Sequence, residues 1–169
     1  MTAPASAITV GQLSPSDRPA WEALFHAYNV FYESRYPQEV YDRAWAEFSA
    51  DERMHALGAW LDGELVGITH FFVHVTTTSL TDSCYLEDLF TAPEARGRGV
   101  GRALINAVGD WAAEHGYARV YWHTHETNAT ARLLYDKVAT LPGFIMYTMD
   151  VPGPAPRVSR TRARGPETA

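Results

Sequence analysis

The order of local patterns predicts a mixed α/β fold of the α+β kind, with a mostly antiparallel sheet carrying helices on both faces. Three observations predict it. Segments of strand chemistry and segments with an apolar stripe at helical spacing follow one another as β–α–α–β–β–β–α–β–α–β. Asp62-Gly63, between two of the strand segments, is a strong hairpin signal and makes that pair antiparallel. Tyr85 to Leu104 (YLEDLFTAPEARGRGVGRAL) reads as a buried strand, a short turn, a glycine–arginine loop and the first turn of a helix.

Taken in order, residues 1–6 form a loose end and Ile8 to Leu13 a first strand. Ser14-Pro15-Ser16-Asp17 supplies helix-capping chemistry, and the helix that follows carries Trp21, Leu24, Phe25, Ala27 and Tyr28, fading near Glu33-Ser34. Pro37 starts a second helix with Val40, Tyr41, Trp45 and Phe48 on one side. Met54 to Leu61 and Glu64 to Val75 are the hairpin strands, and a polar Thr/Ser loop leads into the central strand, Ser83 to Phe90. Val100, Leu104, Ala107, Val108, Trp111 and Ala112 fall at i, i+4, i+7, i+8, i+11 and i+12 of a helix that Gly116 is placed to cap. Ala118 to His125 is a further strand. Glu126-Thr127-Asn128 ends it and caps a helix carrying Ala131, Leu134, Tyr135 and Val138, which Leu141-Pro142-Gly143 stops. Phe144 to Val151 is expected as the last strand.

Composition bounds the function. A chain of 169 residues, 46% hydrophobic, builds one core, here expected over 1–151. Residues 152–169 have almost no apolar content and are expected to be a disordered basic tail, with Arg157, Arg160, Arg162 and Arg164. A solvated tail is the favoured reading over a nucleic-acid arm, because the net charge of -6 argues against broad nucleic-acid binding. No apolar run has the length of a membrane span, and MTAPASAITV lacks the basic start and apolar core of a signal peptide. The single cysteine, Cys84, suits a reducing compartment, so the expectation is a cytoplasmic protein. The histidine pairs His70/His74 and His123/His125 each share a strand face, but lack the cysteines or carboxylates a metal site would add, and none is expected.

The chemistry gathers in Arg96-Gly97-Arg98-Gly99-Val100-Gly101-Arg102. Glycines let backbone amides approach a ligand closely, and unpaired N–H groups at a helix start attract anions. Three arginines add full charge. Together these describe a phosphate or pyrophosphate cradle, against the plainer reading of a solvated basic turn. The Gly-Lys-Ser/Thr ending of a P-loop is absent. The dinucleotide pattern G-x-G-x-x-G/A fails too: from Gly97 and Gly99, Arg102 occupies its third position, and from Gly99 and Gly101, Leu104 does.

The spacing Arg96-x-x-Gly99-x-Gly101 resembles the acetyl-coenzyme A signature of the GNAT superfamily of N-acetyltransferases. Glu87-Asp88-Leu89-Phe90 before the loop and Asn128 to Lys137 (NATARLLYDK) after it resemble family motifs in the same order, and the element order matches. The resemblance is strongest over Tyr85 to Val138. Within the superfamily it is closest to the small-amine and histone-type branch that includes the spermidine/spermine acetyltransferases. It implies an acetyl-CoA-dependent transferase moving acetyl directly to a primary amine in a ternary complex. The loop from Arg96 through Gly97, Arg98, Gly99, Val100 and Gly101 to Arg102 would hold the pyrophosphate. Leu89, Phe90 and Thr91 would hold the pantetheine arm and thioester carbonyl, and Asn128, Tyr135 and Lys137 would add contacts.

Amine acetylation needs a proton acceptor for the amine and a donor for the departing thiolate. Glu87, among apolar neighbours on the central strand, suits the first, and the resemblance supports that role; the alternative is a carboxylate paired with an arginine. Strand alternation puts Asp88 on the opposite face, unless a bulge of the kind the family has intervenes. Tyr135 resembles the tyrosine that protonates the thiolate, and its stripe position equally allows a core role. Asn128 serves as a helix cap, a cofactor contact, or both. In this fold the segment near Phe31 to Tyr36 walls the acceptor site, where Tyr32, Glu33 and Tyr36 suit a cationic amine. The acceptor stays open between a polyamine, an amino acid, an antibiotic amine and a protein lysine. Cys84 lies too early on its strand to be a nucleophile. The rival class is a non-catalytic acyl-CoA-binding sensor, which would not depend on Glu87 or Tyr135. Open strand edges make a homodimer plausible.

Overall fold

The structure is a computed structural model that describes residues 7–152. The loose end expected over 1–6, and all of the expected tail but Pro152, lie outside the described residues. Five strands form one sheet in sequence order: β1 (Ile8–Gln12), β2 (His55–Leu61), β3 (Glu64–His74), β4 (Ser83–Thr91) and β5 (Arg119–Tyr121). The first four pair antiparallel, and β4 and β5 pair parallel. The β2–β3 hairpin turns on Asp62 and Gly63, both at positive φ (53° and 87°), as a tight primed turn requires.

Two helices, α1 (Arg18–Phe31) and α2 (Gln38–Ala50), cover one face. Trp21 and Phe25, one turn apart on α1, are buried against Tyr41 of α2, Ile68 of β3 and Phe90 of β4. Ahead of α1, Ser14 donates through its backbone N–H (2.7 Å) and its hydroxyl (2.6 Å) to Asp17. These bonds, the hydroxyl's first, hold the Asp17 carboxyl below the usual carboxylate range. The opposite face carries α3 (Val100–Glu114). Its Val100 and Leu104 pack with Ala59, Leu61 and Val66, while Ile105, Val108 and Ala112 pack with Phe71, Cys84 and Leu86. Gly116, at φ 78°, ends α3 as expected. A final helix, α4 (Ala129–Val138), lies over the edge of the second of these clusters through Leu134, Tyr135 and Val138.

Two expectations are corrected. The strand expected over Ala118 to His125 is three residues long, Arg119–Tyr121. Beyond it Trp122 packs edge-on against Tyr135, at 5.4 Å between ring centroids, and Asn128 N–H closes a turn onto the His125 carbonyl (3.0 Å), so the chain leaves the sheet. Phe144 to Val151 forms no strand, and its side chains are exposed. Alternation makes a segment fit for a sheet, but only an available edge makes it a strand. No helix of the described residues is long and apolar enough to cross a membrane.

Candidate active site

The parting of two parallel strands creates the site. β4 and β5 pair only from Ser83–Arg119 to Tyr85–Tyr121, and β4 then runs on to Thr91 with a strand partner on its β3 side only. Its backbone on the other side meets a cleft of about 520 Å³, within the range of small-molecule sites. The end of β4, the start of α3, α4 and the end of α1 form the walls.

The loop floor follows from its glycines. Gly97 and Gly99 adopt φ of 74° and 91°, a conformation L side chains rarely take, and Gly99 sits immediately before α3. The first bond after it runs from Ala103 N–H to the Gly99 carbonyl (3.0 Å), so the amides of Val100, Gly101 and Arg102 lie ahead of the helical ladder at its positive end. Space is tight behind them. A Cβ on Gly67 of β3 would stand 2.6 Å from Val100 Cγ1, and one on Gly101 would stand 3.3 Å from Leu134 Cδ2. Gly67 thus allows α3 to start hard against the sheet, and Gly101 allows α4 to close on that start.

Of the residues expected to hold the cofactor, Leu89, Phe90, Thr91, Arg96, Gly97, Gly99, Val100, Gly101, Arg102, Asn128, Tyr135 and Lys137 line this one cleft. Arg98 does not; it is exposed in the turn. The Arg96 side chain is held back at the strand end, where Nε donates to the Thr91 carbonyl (3.2 Å) and the guanidinium lies 5.8 Å from the Phe90 ring centroid. Arg96, Arg102 and Lys137 are the charged lining residues, so this cleft favours an anion. Asn128 precedes α4 but does not cap it with its side chain, which instead donates to Thr124 Oγ1 (3.2 Å). Its cleft position remains.

Tyr135 is half-buried, its ring against Trp122. That desolvation, with a smaller effect from Tyr32, pushes its phenol up to about 12. Tyr32 also lines the cleft, from the end of α1. Glu33, Tyr36 and Glu87 do not. Tyr36 packs with the α1–α2 core, and Glu33 follows Tyr32 in the left-handed region at φ 54°, a conformation that puts a sharp bend at the cleft rim.

The central strand holds the largest difference from strict alternation. His70 stands opposite Asp88 and Phe71 opposite Leu86, which leaves Glu87 as the extra residue of a β-bulge. Glu87 is exposed, so the burial expected for it is absent. This is the bulge that the family resemblance allowed for, so strict alternation does not apply at Glu87 and Asp88. Asp88 turns to the α1–α2 face, where Oδ2 lies 2.8 Å from Nδ1 of fully buried His70. Nε2 of the same ring accepts from the Trp21 indole at 2.9 Å. An indole N–H only donates, so the histidine proton sits on Nδ1 and points at Asp88. This Trp21–His70–Asp88 chain is a built feature that the sequence reading missed. So were Tyr28, Thr130, Ala131, Leu133 and Leu134 in the cleft lining, and the contact made possible by Gly67, while Phe31 lines the cleft from the segment expected to wall it. The i, i+4 relation of Tyr28 and Tyr32 was the available signal for the α1 wall. Cys84 is fully buried on the α3 face outside the cleft, and burial pushes its thiol up to about 11, which removes it as a nucleophile. Of the other histidines expected on strands, His74 meets the Tyr121 hydroxyl (2.8 Å) and His123, beyond the end of β5, the Tyr85 hydroxyl (3.2 Å), and no metal-holding cluster exists among the described residues.

The chain is similar to known proteins in sequence and in fold. The chain is 35% identical over 144 residues to the D-amino-acid N-acetyltransferase HPA3 of Saccharomyces cerevisiae, covering 83% of this chain and 89% of that one. It is 32% identical over 117 residues to an aminoglycoside N(6')-acetyltransferase type 1 of Stenotrophomonas maltophilia, covering 66% and 72%. Its fold superposes on the aminoglycoside N-acetyltransferase AAC(6')-Iy in complex with CoA with a TM-score of 0.76 at 18% identity, over 89% of this chain and 99% of the other. The profile of the Acetyltransferase (GNAT) family matches residues 21–139, from the buried tryptophan of α1 to the residue after α4, and the chain belongs to that family.

Proposed function

We propose that this N-acetyltransferase takes the acetyl group of acetyl-CoA to the primary amine of a small molecule, within a ternary complex, in the cleft between β4 and α4. The observation that carries the reading is the convergence of the α3 N-terminus, the open edge of β4 and Tyr135 on one cleft. Coenzyme A fits this residue set on two counts. Arg102 and Lys137, with the amides of Val100 and Gly101 at a helix start, suit its pyrophosphate. The edge at Leu89 to Thr91, which has no strand partner on the cleft side, suits an amide-bearing arm, as an exposed strand edge suits a peptide. Bound acetyl-CoA supplies an acetyl group already activated as a thioester.

Tyr135 works as a hydrogen-bond donor. A phenol held near 12 keeps its proton throughout the neutral range, and its hydroxyl would be available to donate to the leaving sulfur of a bound thioester. Free thiols titrate near 8.5, well below this phenol, so the tyrosine stabilises developing negative charge without having to surrender its proton fully. Glu87 is the proton acceptor for the amine nitrogen. Its exposure on the bulge, two residues upstream of Leu89, favours a relay through water over direct contact.

For the acceptor, Tyr28, Phe31 and Tyr32 offer an aromatic wall to a cationic amine. The relatives named above act on D-amino acids and aminoglycosides, and a thialysine N-epsilon-acetyltransferase of Caenorhabditis elegans is 27% identical over 88 residues. Small amines as a class, rather than the spermidine/spermine or histone-type branch in particular, are therefore the proposed substrates. Release of free thiol from acetyl-CoA, followed with D-amino acids, an aminoglycoside, spermidine and a lysine peptide in turn, tests this. Turnover with at least one small amine, lowered about 100-fold in Glu87→Gln, is expected. Turnover with the peptide alone, or with none of them, contradicts it.

A further inference from the structure

We infer that Trp21, Thr69 and His70 are positioning residues for acetyl transfer: they clamp Asp88, and the clamped Asp88 fixes the bulge that presents Glu87 to the amine. The inference rests on the proposed role of Glu87 as proton acceptor. A bulge is a weak point in a strand, because its extra residue has no partner opposite and the ladder is interrupted beside it. Here the extra residue is Glu87, and the register shift falls between His70 and Phe71 of β3. The ladder alone therefore does not fix the direction of Glu87.

Asp88, the next residue, is held twice. Thr69 Oγ1 donates to its carbonyl oxygen at 2.9 Å, and His70 Nδ1–H donates to its Oδ2 at 2.8 Å. Thr69 and His70 are successive residues of β3, so the two bonds reach Asp88 from opposite faces of the sheet. Both donors are fully buried, and the Asp88 side chain is 15% exposed. Water offers these donors no replacement partner, so the main chain and the carboxylate of Asp88 stay where the two bonds put them.

His70 is held in turn. The Trp21 indole N–H donates to Nε2 at 2.9 Å, which leaves the other ring nitrogen to donate to Asp88. The imidazole stacks on Phe48 at 4.3 Å between centroids and meets Phe25 edge-on at 4.8 Å. An apolar ring would fill this space without needing two polar partners. What the imidazole adds is a hydrogen-bonded connection from α1, through β3, to the residue beside Glu87.

The test is a double-substitution cycle on the full chain, read as thiol release from acetyl-CoA with the fastest acceptor among the D-amino acids, an aminoglycoside and spermidine. Asp88→Ala should lower kcat at least about 10-fold, and Glu87→Gln about 100-fold. The double variant should fall within about twofold of Glu87→Gln alone, because a displaced bulge costs nothing once residue 87 accepts no proton. A mere loss of folded protein would multiply the rate by the same factor in both backgrounds. Asp88→Asn keeps an oxygen that accepts from His70 and should stay within about threefold of wild type. Unchanged kcat in Asp88→Ala, losses that multiply in the double variant, or Asp88→Asn as slow as Asp88→Ala would each overturn the inference while leaving Glu87 its role. Wild-type rate in Glu87→Gln would instead remove the proton-acceptor reading, and the inference with it. Proton NMR checks the clamp without any acceptor amine. A slowly exchanging His70 Nδ1–H signal is expected in wild type and Asp88→Asn and is lost in Asp88→Ala, and its absence from the wild type overturns the clamp.

Discussion

The two sides of the cleft are built differently. On the β1–β4 side, six successive residues of β3, Val66 to Phe71, are buried, and Trp21, Ile68, His70, Val100 and Leu104 are sealed from solvent. On the β5–α4 side no residue of either element is buried, and the chain beyond α4 lies open. The loop proposed to hold the cofactor starts from the sealed side, and Tyr135 stands on the open one. The loop proposed to bind the anion therefore rests on a rigid frame, while the hydrogen-bond donor proposed for the chemistry rests on a wall supported by Trp122. Parts of a protein with few buried contacts open most readily, so the catalytic wall is the side where motion and assembly can act on turnover.

Substitutions on the two sides should separate stability from chemistry. The largest effect is expected from Trp21→Ala, which empties a fully buried site packed by Phe25, Trp45 and Phe48 and strands His70 Nε2. A loss of about 3–5 kcal/mol in denaturant unfolding is expected. A loss below ~1 kcal/mol would mean that the sealed side is no more tightly built than the open one. Tyr135→Phe should leave folding and coenzyme A affinity near wild type and lower kcat by about 10- to 100-fold; unchanged kcat would return Tyr135 to a packing role. In the wild type no loss of rate from this group is expected below pH 10. Its raised value means that the neutral phenol is the favoured folded form, so its contribution to stability is complete below the unfolded value near 10 and fades as pH rises through about 12.

Gly67→Ala should push the start of α3 off β3, because the new methyl meets Val100 at 2.6 Å. About 1–3 kcal/mol of stability should be lost, together with coenzyme A affinity, and unchanged calorimetric affinity would show that the loop does not depend on the sheet beneath it. The smallest effect is expected from Cys84→Ala. About 1 kcal/mol is lost from the packed α3 face, with thiol release from acetyl-CoA within about twofold of wild type. A large loss of turnover would mean that this thiol takes part in transfer.

The sealed side was legible in the sequence because its determinants are local. Asp62-Gly63 demands its turn, the Val100-to-Ala112 stripe demands a helix against the sheet, and the glycine–arginine loop can be read between strand and helix. The open side was not, because its structure depends on partners that no local pattern specifies. Phe144 to Val151 has the alternation of a strand but pairs with no strand of its own chain, and β5 stops where Trp122 finds Tyr135. The bulge at Glu87 is likewise set by the register of β3 against β4, not by either strand alone. Tyr36 and Tyr32 look alike in the sequence. The bend at Glu33 sends one into the core and leaves the other in the cleft.

The account rests on the loop before α3 holding the pyrophosphate of acetyl-CoA, and a calorimetric titration of acetyl-CoA into wild type and Gly99→Asp tests it most directly. The substitution puts a carboxylate, on a residue that disfavours φ 91°, at the mouth of the helix. The account predicts micromolar binding by the wild type and a loss of at least about 100-fold in the variant, with the far-UV spectrum of the fold retained. Equal affinity in the two proteins, or no binding by the wild type, would contradict it.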